Sequence, residues 1–198
     1  MKTNYILVDF ENVQPTTLTI LDQENVKIIV FVGKNQTKIS LAVAIPLQDM
    51  GHRAEYVQIS GNGANALDFH IAFTIGQLAA TDPQAYFHII SKDTGFDPLI
   101  EHLKHKKIRV CRSHNITDIP LVRVAQAVSP SDKVGVIITN LQQRGTSKPR
   151  TLETLTRTVS TLFQQKLPEV EITALIHHLQ VQGVISVDDK KVSYALPT

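Results

Sequence analysis

The sequence predicts an α/β protein, with a doubly wound, mainly parallel sheet followed by a small helical domain. Two observations carry this prediction. Short apolar runs alternate with helix-like segments through about the first 125 residues, and the alternation then gives way to helical periods alone. With 198 residues, 42% of them hydrophobic and 19% charged, the chain has the composition of a globular protein with a core of its own.

Five apolar runs rich in β-branched and aromatic residues predict the strands. Runs of this kind are typical of parallel strands that are covered on both faces. They occupy residues 5–10, 27–32, 54–59, 86–90 and 108–111, and the helix-like segments between them occupy residues 39–50, 64–78 and 98–105. Right-handed crossovers and the usual strand order 3-2-1-4-5 then place the first and fourth strands side by side, where the strand order reverses.

Beyond residue 126 the pattern predicts a linker and a second domain. Proline and serine interrupt the periodicity at residues 127–132, and a helix is expected over residues 133–143. Two amphipathic helices follow, marked by Leu152, Leu155, Val159 and Leu162, and by Ile172, Leu175, Ile176 and Leu179. Gly183 ends the last helix, and the apolar runs around "DDKK" predict a hairpin. Three helices and a β-hairpin predict a winged-helix domain, so the expected domains are residues 1–126 and 133–198.

Charge and cysteine content narrow the functional classes. The formal net charge of +2 is too small to imply a nucleic-acid partner by itself, although a local basic patch can bind one. The single cysteine, Cys111, excludes an intramolecular disulfide and a cysteine-based zinc site, and we expect a buried thiol. The N-terminal run resembles no signal peptide, and no apolar stretch reaches the roughly 20 residues that span a bilayer. We therefore expect a cytoplasmic protein with no membrane partner.

Acidic side chains follow two strands that the predicted topology makes neighbours. Asp9, Glu11 and Asn12 come at the end of the first strand, and Asp93 follows the fourth. In open parallel sheets, ligands bind beyond the carboxyl ends of the strands where the strand order reverses. We therefore expect Asp9 and Asp93 to converge there, with Asp97 at the start of the next helix.

A further carboxylate comes from the second predicted helix. Asn65 and Asp68 are three residues apart and are expected on one helical face, and Asp68 lies between the apolar residues Leu67 and Phe69. A carboxylate in such a segment is costly to bury unless its charge is compensated. A cation such as Mg²⁺ prefers oxygen ligands, and it can activate water and stabilise a phosphodiester transition state. The carboxylates therefore predict a metal site.

Three motifs resemble those of the PIN-like nuclease superfamily, particularly its NYN branch. They are "LVDFENVQP" at the first strand, "NALDFHIA" on the second helix and "SKDTGFDPLIEHL" after the fourth strand, within about the first 112 residues. The resemblance implies an RNA-cleaving enzyme that depends on Mg²⁺ or Mn²⁺. It implies metal-ligand and catalytic roles for Asp9, Asp68, Asp93 and Asp97, and an orienting role for Asn12. The second domain is absent from simple PIN toxins and is similar to OST-HTH-like winged-helix modules.

Basic residues predict where RNA would bind. Lys34, Lys38 and Lys92 lie in loops near the acidic edge, and we expect them and Asn65 to contact the substrate. In the second domain the expected contacts are Lys148, Arg150, Lys190 and Lys191. Acidic residues open the last helix, where a recognition helix usually meets nucleic acid, so a protein partner or a homodimer through this domain is an alternative.

Other interpretations of these motifs stay open. "GNGANA" at residues 61–66 fits a dinucleotide-binding loop, but it follows the third strand and not the first, and a loop at the rim of the active site is the alternative. "DFEN" is similar to the first motif of phosphatases with an aspartate nucleophile, with Glu11 in place of the second aspartate. Each aspartate alone fits a helix cap, and Asp97 before Pro98 fits well. The same fold could also serve as a catalytically silent RNA-binding or regulatory adaptor.

Overall fold

Strands and helices alternate along the first part of the chain, as the apolar pattern predicts. A computed structural model describes residues 2–15 and 18–197. Contacts divide the chain after Ile119 into two compact units. Within the described residues, no helix has both the length and the apolar character needed to cross a lipid bilayer.

One sheet of five parallel strands organises the first unit. Its strands are β1 (Asn4–Asp9), β2 (Val26–Val32), β3 (Ala54–Gln58), β4 (Tyr86–Ile90) and β5 (Arg109–Ser113). They lie in the order β3-β2-β1-β4-β5, which confirms the predicted order and the doubly wound α/β fold. Val8 of β1 pairs with Val30 of β2 on one side and with Ile90 of β4 on the other. The strand order therefore reverses between β1 and β4, whose carboxyl ends share one edge of the sheet.

Three helices flank this sheet: α1 (Leu41–Asp49), α2 (Ala66–Thr81) and α3 (Asp97–His105). Helices α2 and α3 pack on the same face, where Ile71, Ile75 and Ile100 join the buried core. Right-handed crossovers put α1 on the opposite face, and its Val43 and Leu47 are buried. The apolar pattern thus predicts each helix, with ends that differ by three residues at most.

Helix α2 begins later than predicted, which changes the environment of Asn65. The helix starts at Ala66, and Asn65 precedes it in a left-handed backbone conformation (φ 62°, ψ 15°). The prediction that Asn65 and Asp68 share a helical face is therefore wrong. Asparagine adopts this conformation more readily than most residues because its short polar side chain can bond locally.

The described residues of the second unit form helices and a β-hairpin: α4 (Pro120–Gln126), α5 (Pro130–Gln143), α6 (Leu152–Leu162), α7 (Glu169–Val181), β6 (Ile185–Asp188) and β7 (Lys191–Tyr194). The sequence pattern does not predict α4. Helix α5 starts before residue 133 because Ser129 and Asp132 form a reciprocal capping box. Gly183, with a φ of 69°, follows α7 as predicted, and the antiparallel pairing of β6 with β7 confirms the hairpin.

The core of the second unit extends to residues that the sequence assigns to the first domain and to the linker. Val124 of α4 and Ala127 pack with apolar residues of α5, α6 and α7. By their contacts, residues 120–126 therefore group with the second unit. The linker at residues 127–132 and the limits of independently folding domains stay predictions.

Candidate active site

A cleft of about 560 Å³ opens at the carboxyl edge of the sheet. Its walls come from the end of β1, the loop after β2, the segment between β3 and α2, and the loop after β4. The lining residues include Asp9, Glu11, Asn12, Lys34, Asn65, Asp68 and Asp93. The cleft therefore lies at the topological switch point, where such folds bind ligands.

Asp9 is the buried carboxylate of this cleft, with 1% of its surface exposed. Its Oδ1 accepts a hydrogen bond of 3.2 Å from the backbone N–H of Asn12, and its Oδ2 accepts one of 2.6 Å from the Asn12 side-chain amide. The chain turns sharply after β1, since the N–H of Val13 bonds to the Asp9 carbonyl at 2.9 Å. This turn brings Asn12 back over Asp9, where its amide can orient the carboxylate.

Ser91 connects the Asp9 carboxylate to the backbone of Asp93, and none of the predicted roles includes it. It is fully buried; its Oγ donates a hydrogen bond of 2.7 Å to Oδ2 of Asp9 and accepts one of 3.0 Å from the N–H of Asp93. Asp93 in turn accepts a bond of 2.7 Å from the N–H of Gly95 and caps the 3-10 turn Thr94–Phe96. The one sequence signal for Ser91 is its position just after the strand that neighbours β1.

Asp68 lies in the first turn of α2 and is partly exposed. Burial, followed by the negative charges of Asp9, Asp93 and Glu11, raises the pKa of Asp68 above its ordinary value. No described residue donates a hydrogen bond to its carboxylate. Among the described residues that line the cleft, Lys34 alone is cationic. The cleft therefore concentrates negative charge that the chain itself offsets only in part.

Glu11 is a fourth carboxylate at this cleft, to which the sequence assigns no ligand role. Its side chain lies over Gly33, which follows β2. A side chain at residue 33 would collide with Oε1 of Glu11. The glycine thus leaves the space that the Glu11 carboxylate occupies at the cleft.

The donor atoms at the cleft fit a hydrated divalent cation. The charged candidates are carboxylates, and no histidine or cysteine is among the described lining residues. Across residues 2–15 and 18–197, no three His, Cys, Asp or Glu side chains are grouped closely enough to hold an ion between them. Mg²⁺ commonly binds through one or two carboxylates and keeps several waters. Such an open set of oxygen donors therefore suits Mg²⁺ or Mn²⁺ better than a metal that needs a closed cage.

Asp97 is not among the residues that line the cleft. Its two carboxylate oxygens accept hydrogen bonds of 2.8 and 3.1 Å from Nε and Nη2 of Arg112 on β5. Hydrogen bonding from Arg112 is also the main cause of the lowered pKa of Asp97. Asp97 does not cap α3 either, because Phe96 occupies the N-cap position. The structure thus brings together three of the four predicted metal ligands and pairs the fourth with an arginine; a metal-ligand role for Asp97 stays a prediction.

Of the predicted substrate contacts in the first unit, some line the cleft and others do not. Lys34 and Asn65 line the cleft, whereas the exposed Lys38 and Lys92 are not among its lining residues. Much of the loop at residues 61–66 also contributes to the wall. This location agrees with a loop at the rim of the site, the alternative to a dinucleotide-binding loop.

Backbone pairing in the second unit brings together basic residues that are far apart in sequence. The N–H of Leu152 bonds to the carbonyl of Lys190 at 2.9 Å, and the N–H of Val192 bonds to the carbonyl of Arg150 at 3.0 Å. The segment before α6 therefore lies beside the hairpin, where Thr151 forms an isolated antiparallel bridge with Lys191. This pairing places Arg150 beside Lys190 and Lys191. Lys148 lies two residues before Arg150, and its Nζ donates to the carbonyl of Gly145 at 2.7 Å. The predicted RNA contacts Lys148, Arg150, Lys190 and Lys191 are called the hairpin cations below.

A family model described as a PIN domain matches residues 3–113, more than half of the chain. The match spans β1 to β5 and includes every residue that lines the cleft. Domains of this family are typically nucleases. No curated protein and no solved structure gives a significant match to the chain.

Proposed function

The chain belongs to the PIN domain family, and from this premise we propose that it is a divalent-metal-dependent endoribonuclease of the NYN type. The observation that carries the proposal is that Asp9, Asp68 and Asp93 line one cleft at the switch point of the sheet. A surface that only bound RNA would gain nothing from adjoining carboxylates, because they repel phosphate. A site that holds a cation between carboxylates and phosphate requires them.

One or two of the carboxylates of Asp9, Asp68 and Asp93 would bind the ion directly, and the rest would reach it through its waters. Bound Mg²⁺ or Mn²⁺ would supply an activated water and offset the negative charge of the phosphodiester transition state. Asn12 and Ser91 keep the Asp9 carboxylate in one orientation, which is the preorganisation that a reactive site needs. The raised pKa of Asp68 reflects, beside burial, a repulsion that a cation would relieve.

Lys34 and Asn65 are the proposed substrate contacts at the cleft. Lys34 is the cation among the described lining residues, so it can attract a phosphate to an otherwise acidic surface. Asn65 contributes a neutral amide, which can donate to a phosphate oxygen or accept from a ribose hydroxyl. These contacts would position RNA without adding to the negative charge.

For the second unit we propose an OST-HTH-like winged-helix module that binds RNA through the hairpin cations. Contacts with the phosphate backbone need clustered positive charge and no particular base sequence. Helix α7 is less suited to this role, because Glu169 and Glu171 lie in its first turn and Glu171 pairs with Lys133. We therefore place RNA binding at the hairpin. An RNA substrate also agrees with the expected cytoplasmic location.

Incubation of a labelled structured RNA with the purified full chain tests the enzymatic proposal. We expect cleavage with Mn²⁺ or Mg²⁺ and none with EDTA. Asp68→Asn should abolish cleavage, and calorimetry should show that it also loses Mn²⁺ binding. Asp49→Asn is the matched control, since Asp49 is an exposed residue at the end of α1, and it should retain both.

Two outcomes would contradict this function. Cleavage that persists in EDTA would remove the metal from the mechanism. A folded protein that binds RNA but cleaves none of a broad panel with either metal would instead favour the catalytically silent adaptor.

A further inference from the structure

Two loops lie beside the carboxylates at the edge of the sheet. One follows β2 and the other joins β3 to α2, and both contribute residues to the cleft. Strands β3, β2 and β1 are consecutive neighbours in the sheet, so the loops that follow them are neighbours too. Adjacent strands are about 4.8 Å apart, which places the end of β3 roughly 10 Å from the end of β1. These loops therefore lie within reach of a nucleotide next to the phosphate that the carboxylates and their cation would bind.

Hydrogen bonds fix the loop that follows β2. The N–H of Gln36 bonds to the carbonyl of Gly33 at 2.9 Å, which closes a turn with Lys34 and Asn35 at its centre. The side-chain amide of Gln58, on β3, donates to the carbonyl of Lys34 at 3.0 Å. The turn is thus held to the neighbouring strand, and it places Lys34 and Asn35 in the wall of the cleft.

Each loop contributes an asparagine with an unused amide: Asn35 in the first loop and Asn62 in the second. Both side chains are exposed, and neither is hydrogen-bonded to another described residue. A carboxamide presents a donor and an acceptor side by side. Two such groups on neighbouring loops suit a ligand that carries a donor and an acceptor together on two of its edges. A nucleobase has such edges, and a phosphate has acceptors alone.

Gly63 lines the cleft beside Asn62, and the chain itself gives no reason for a glycine there. Its φ is not positive, unlike that of Gly61, which is 86°. No described atom comes within 4 Å of the place where a Cβ of residue 63 would lie. Glycine also occurs where a ligand approaches the backbone closely. Open space beside an unused amide therefore suits a flat ring that lies against the loop.

We propose that Asn35, Asn62 and Gly63, called the amide wall below, bind an unpaired adenine next to the cleaved phosphodiester bond. The two carboxamides pair with the edges of the base, and its ring lies over Gly63. The amino group of adenine stands between two ring nitrogens, N1 and N7, so adenine offers a donor beside an acceptor on both edges. Asparagine pairs with adenine in this bidentate way. Guanine has only acceptors on its N7 edge, and the pyrimidines have no N7.

This proposal deepens the proposed function, because it names the nucleotide that the same cleft selects, and it rests on RNA as the substrate. In a duplex the Watson–Crick edge of adenine is already paired, and the deep, narrow major groove of A-form RNA closes off the N7 edge. The amide wall therefore selects adenine in loops, bulges and ends. Lys34 lies in the same turn as Asn35 and can contact the adjoining phosphate.

Four labelled single strands test the preference for adenine. They are oligouridines that differ only in one central base, which is A, G, C or U. Binding to the full chain is measured by fluorescence anisotropy with Ca²⁺, which takes oxygen ligands as Mg²⁺ does, and cleavage is mapped with Mn²⁺. The adenine strand should bind on the order of 10-fold more tightly than the other three, and cuts should concentrate next to the adenine. The same strand annealed to its complement should lose this advantage.

Gly63→Ala is the most discriminating variant, because it adds one methyl group to space that the chain leaves empty. It should keep the melting temperature of the wild type and lose the preference for adenine. Gly76→Ala is the matched control, since residue 76 on α2 has equally open space at its Cβ position and does not line the cleft. Asn35→Ala and Asn62→Ala should each reduce the preference. Gln77→Ala, which removes an exposed amide from α2, should leave it unchanged.

The outcomes separate the amide wall from the nuclease activity. Adenine-selective binding without cleavage by either metal would support the amide wall and contradict the enzyme. Cleavage with equal affinities and equal rates for the four strands would support the enzyme and overturn the amide wall. A preference for another base would overturn the assignment of adenine. A Gly63→Ala chain that keeps the wild-type preference would overturn the amide wall as its source.

Discussion

The Oγ of Ser91 lies 2.7 Å from Oδ2 of Asp9 and donates a hydrogen bond to it, although the two residues are 82 positions apart in sequence. The contact exists because β1 and β4 are neighbours, with Val8 opposite Ile90. The same hydroxyl accepts a bond from the N–H of Asp93. One buried side chain therefore bonds to the Asp9 carboxylate and to the backbone of Asp93. The bond to Asp9 depends on the strand order, and the bond to Asp93 is local.

Replacing Ser91 with alanine should lower both stability and cleavage. The change removes a donor to buried Asp9 and an acceptor for the N–H of Asp93, which should cost about 1–3 kcal/mol of unfolding free energy. We expect kcat to fall more than KM rises, because the carboxylates lose a fixed orientation. Denaturant unfolding and single-turnover cleavage measure the two effects. The control is Ser113→Ala, a buried serine at the end of β5; an equal kinetic loss there would contradict a positioning role for Ser91.

The strand order and the acidic edge could be predicted because they depend on local patterns and general rules. Apolar runs locate the strands, and the crossover rule makes the first and fourth strands neighbours. Asp97 shows where this reasoning ends. It precedes a proline and so fits a helix cap. In the structure, however, the 3-10 turn Thr94–Phe96 leads directly into α3, so Asp97 is the first residue of the helix and Phe96 is the cap. Its partner Arg112 comes from β5, and nothing in the local sequence reveals it.

The exposed face of α2 could not be predicted for a different reason. Phe69 and Phe73 are as apolar as Ile71 and Ile75, so the pattern indicates a buried helix without showing which side the sheet covers. Only the packing shows that the isoleucines are buried and the phenylalanines are exposed. When a helix has apolar residues on two sides, its sequence therefore does not show whether the second side packs within the same chain or is left for another molecule.

Buried His88 should make stability depend on pH. Its Nε2 lies 3.1 Å from Oδ1 of Asn4, and its Nδ1 lies 3.3 Å from Sγ of Cys111. Burial lowers the pKa of His88 from 6.5 to about 3. Between pH 6.5 and 3 the unfolded chain therefore binds a proton at His88 that the folded chain does not bind, so the free energy of unfolding decreases as the pH falls. The melting temperature should decrease as the pH is lowered through this window. His88→Gln should flatten the slope, and exposed His102→Gln should not; equal slopes in all three proteins would contradict the assignment.

The pair Asp97 and Arg112 offers a test of whether Asp97 binds metal. If Asp97 serves only its arginine, Asp97→Asn should cost no more than about 1 kcal/mol of stability, because the Asp97 side chain is 54% exposed. Arg112→Gln should cost more, because the Arg112 side chain is 12% exposed and also donates to the Ser91 carbonyl at 3.3 Å. Cleavage should then persist in both variants, and a double-mutant cycle should show that the two changes are not additive. Loss of cleavage in Asp97→Asn alone would make Asp97 a metal ligand, as the resemblance to PIN-like nucleases implies.

Removing the charge of Asp68 should stabilise the metal-free protein. Since the folded pKa is raised, ionisation of Asp68 opposes folding at neutral pH, and the penalty disappears below its ordinary value of about 4. Asp68→Asn should therefore melt higher than the wild type at pH ~7 in EDTA, and the difference should vanish at low pH. Mn²⁺ should raise the melting temperature of the wild type more than that of the variant, because binding to the folded state stabilises it. Equal Mn²⁺ shifts in both proteins would separate Asp68 from the metal.

Neutralising the hairpin cations should weaken RNA binding without slowing the chemical step. The variant replaces four residues with glutamine: Lys148, Arg150, Lys190 and Lys191. We expect a lower affinity and a flatter dependence on salt, because fewer counterions are released when fewer phosphates are bound. The cleavage rate at saturating RNA should hardly change, since weaker ground-state binding raises KM more than it lowers kcat. Titration at two salt concentrations and single-turnover cleavage measure both quantities.

A matched pair of changes decides whether the position of these cations matters. Lys190→Gln with Lys191→Gln removes the same charge as Lys104→Gln with Lys106→Gln, and all four lysines are exposed. Only the first pair of changes should reduce the slope of log affinity against log salt concentration. The slope should fall by about 1 for each phosphate that the protein no longer binds. An equal reduction in both pairs would mean that net charge alone attracts RNA. An unchanged affinity after all four hairpin cations are neutralised would assign this hairpin to a protein partner, because RNA binding without phosphate contacts there would have to come from the first unit.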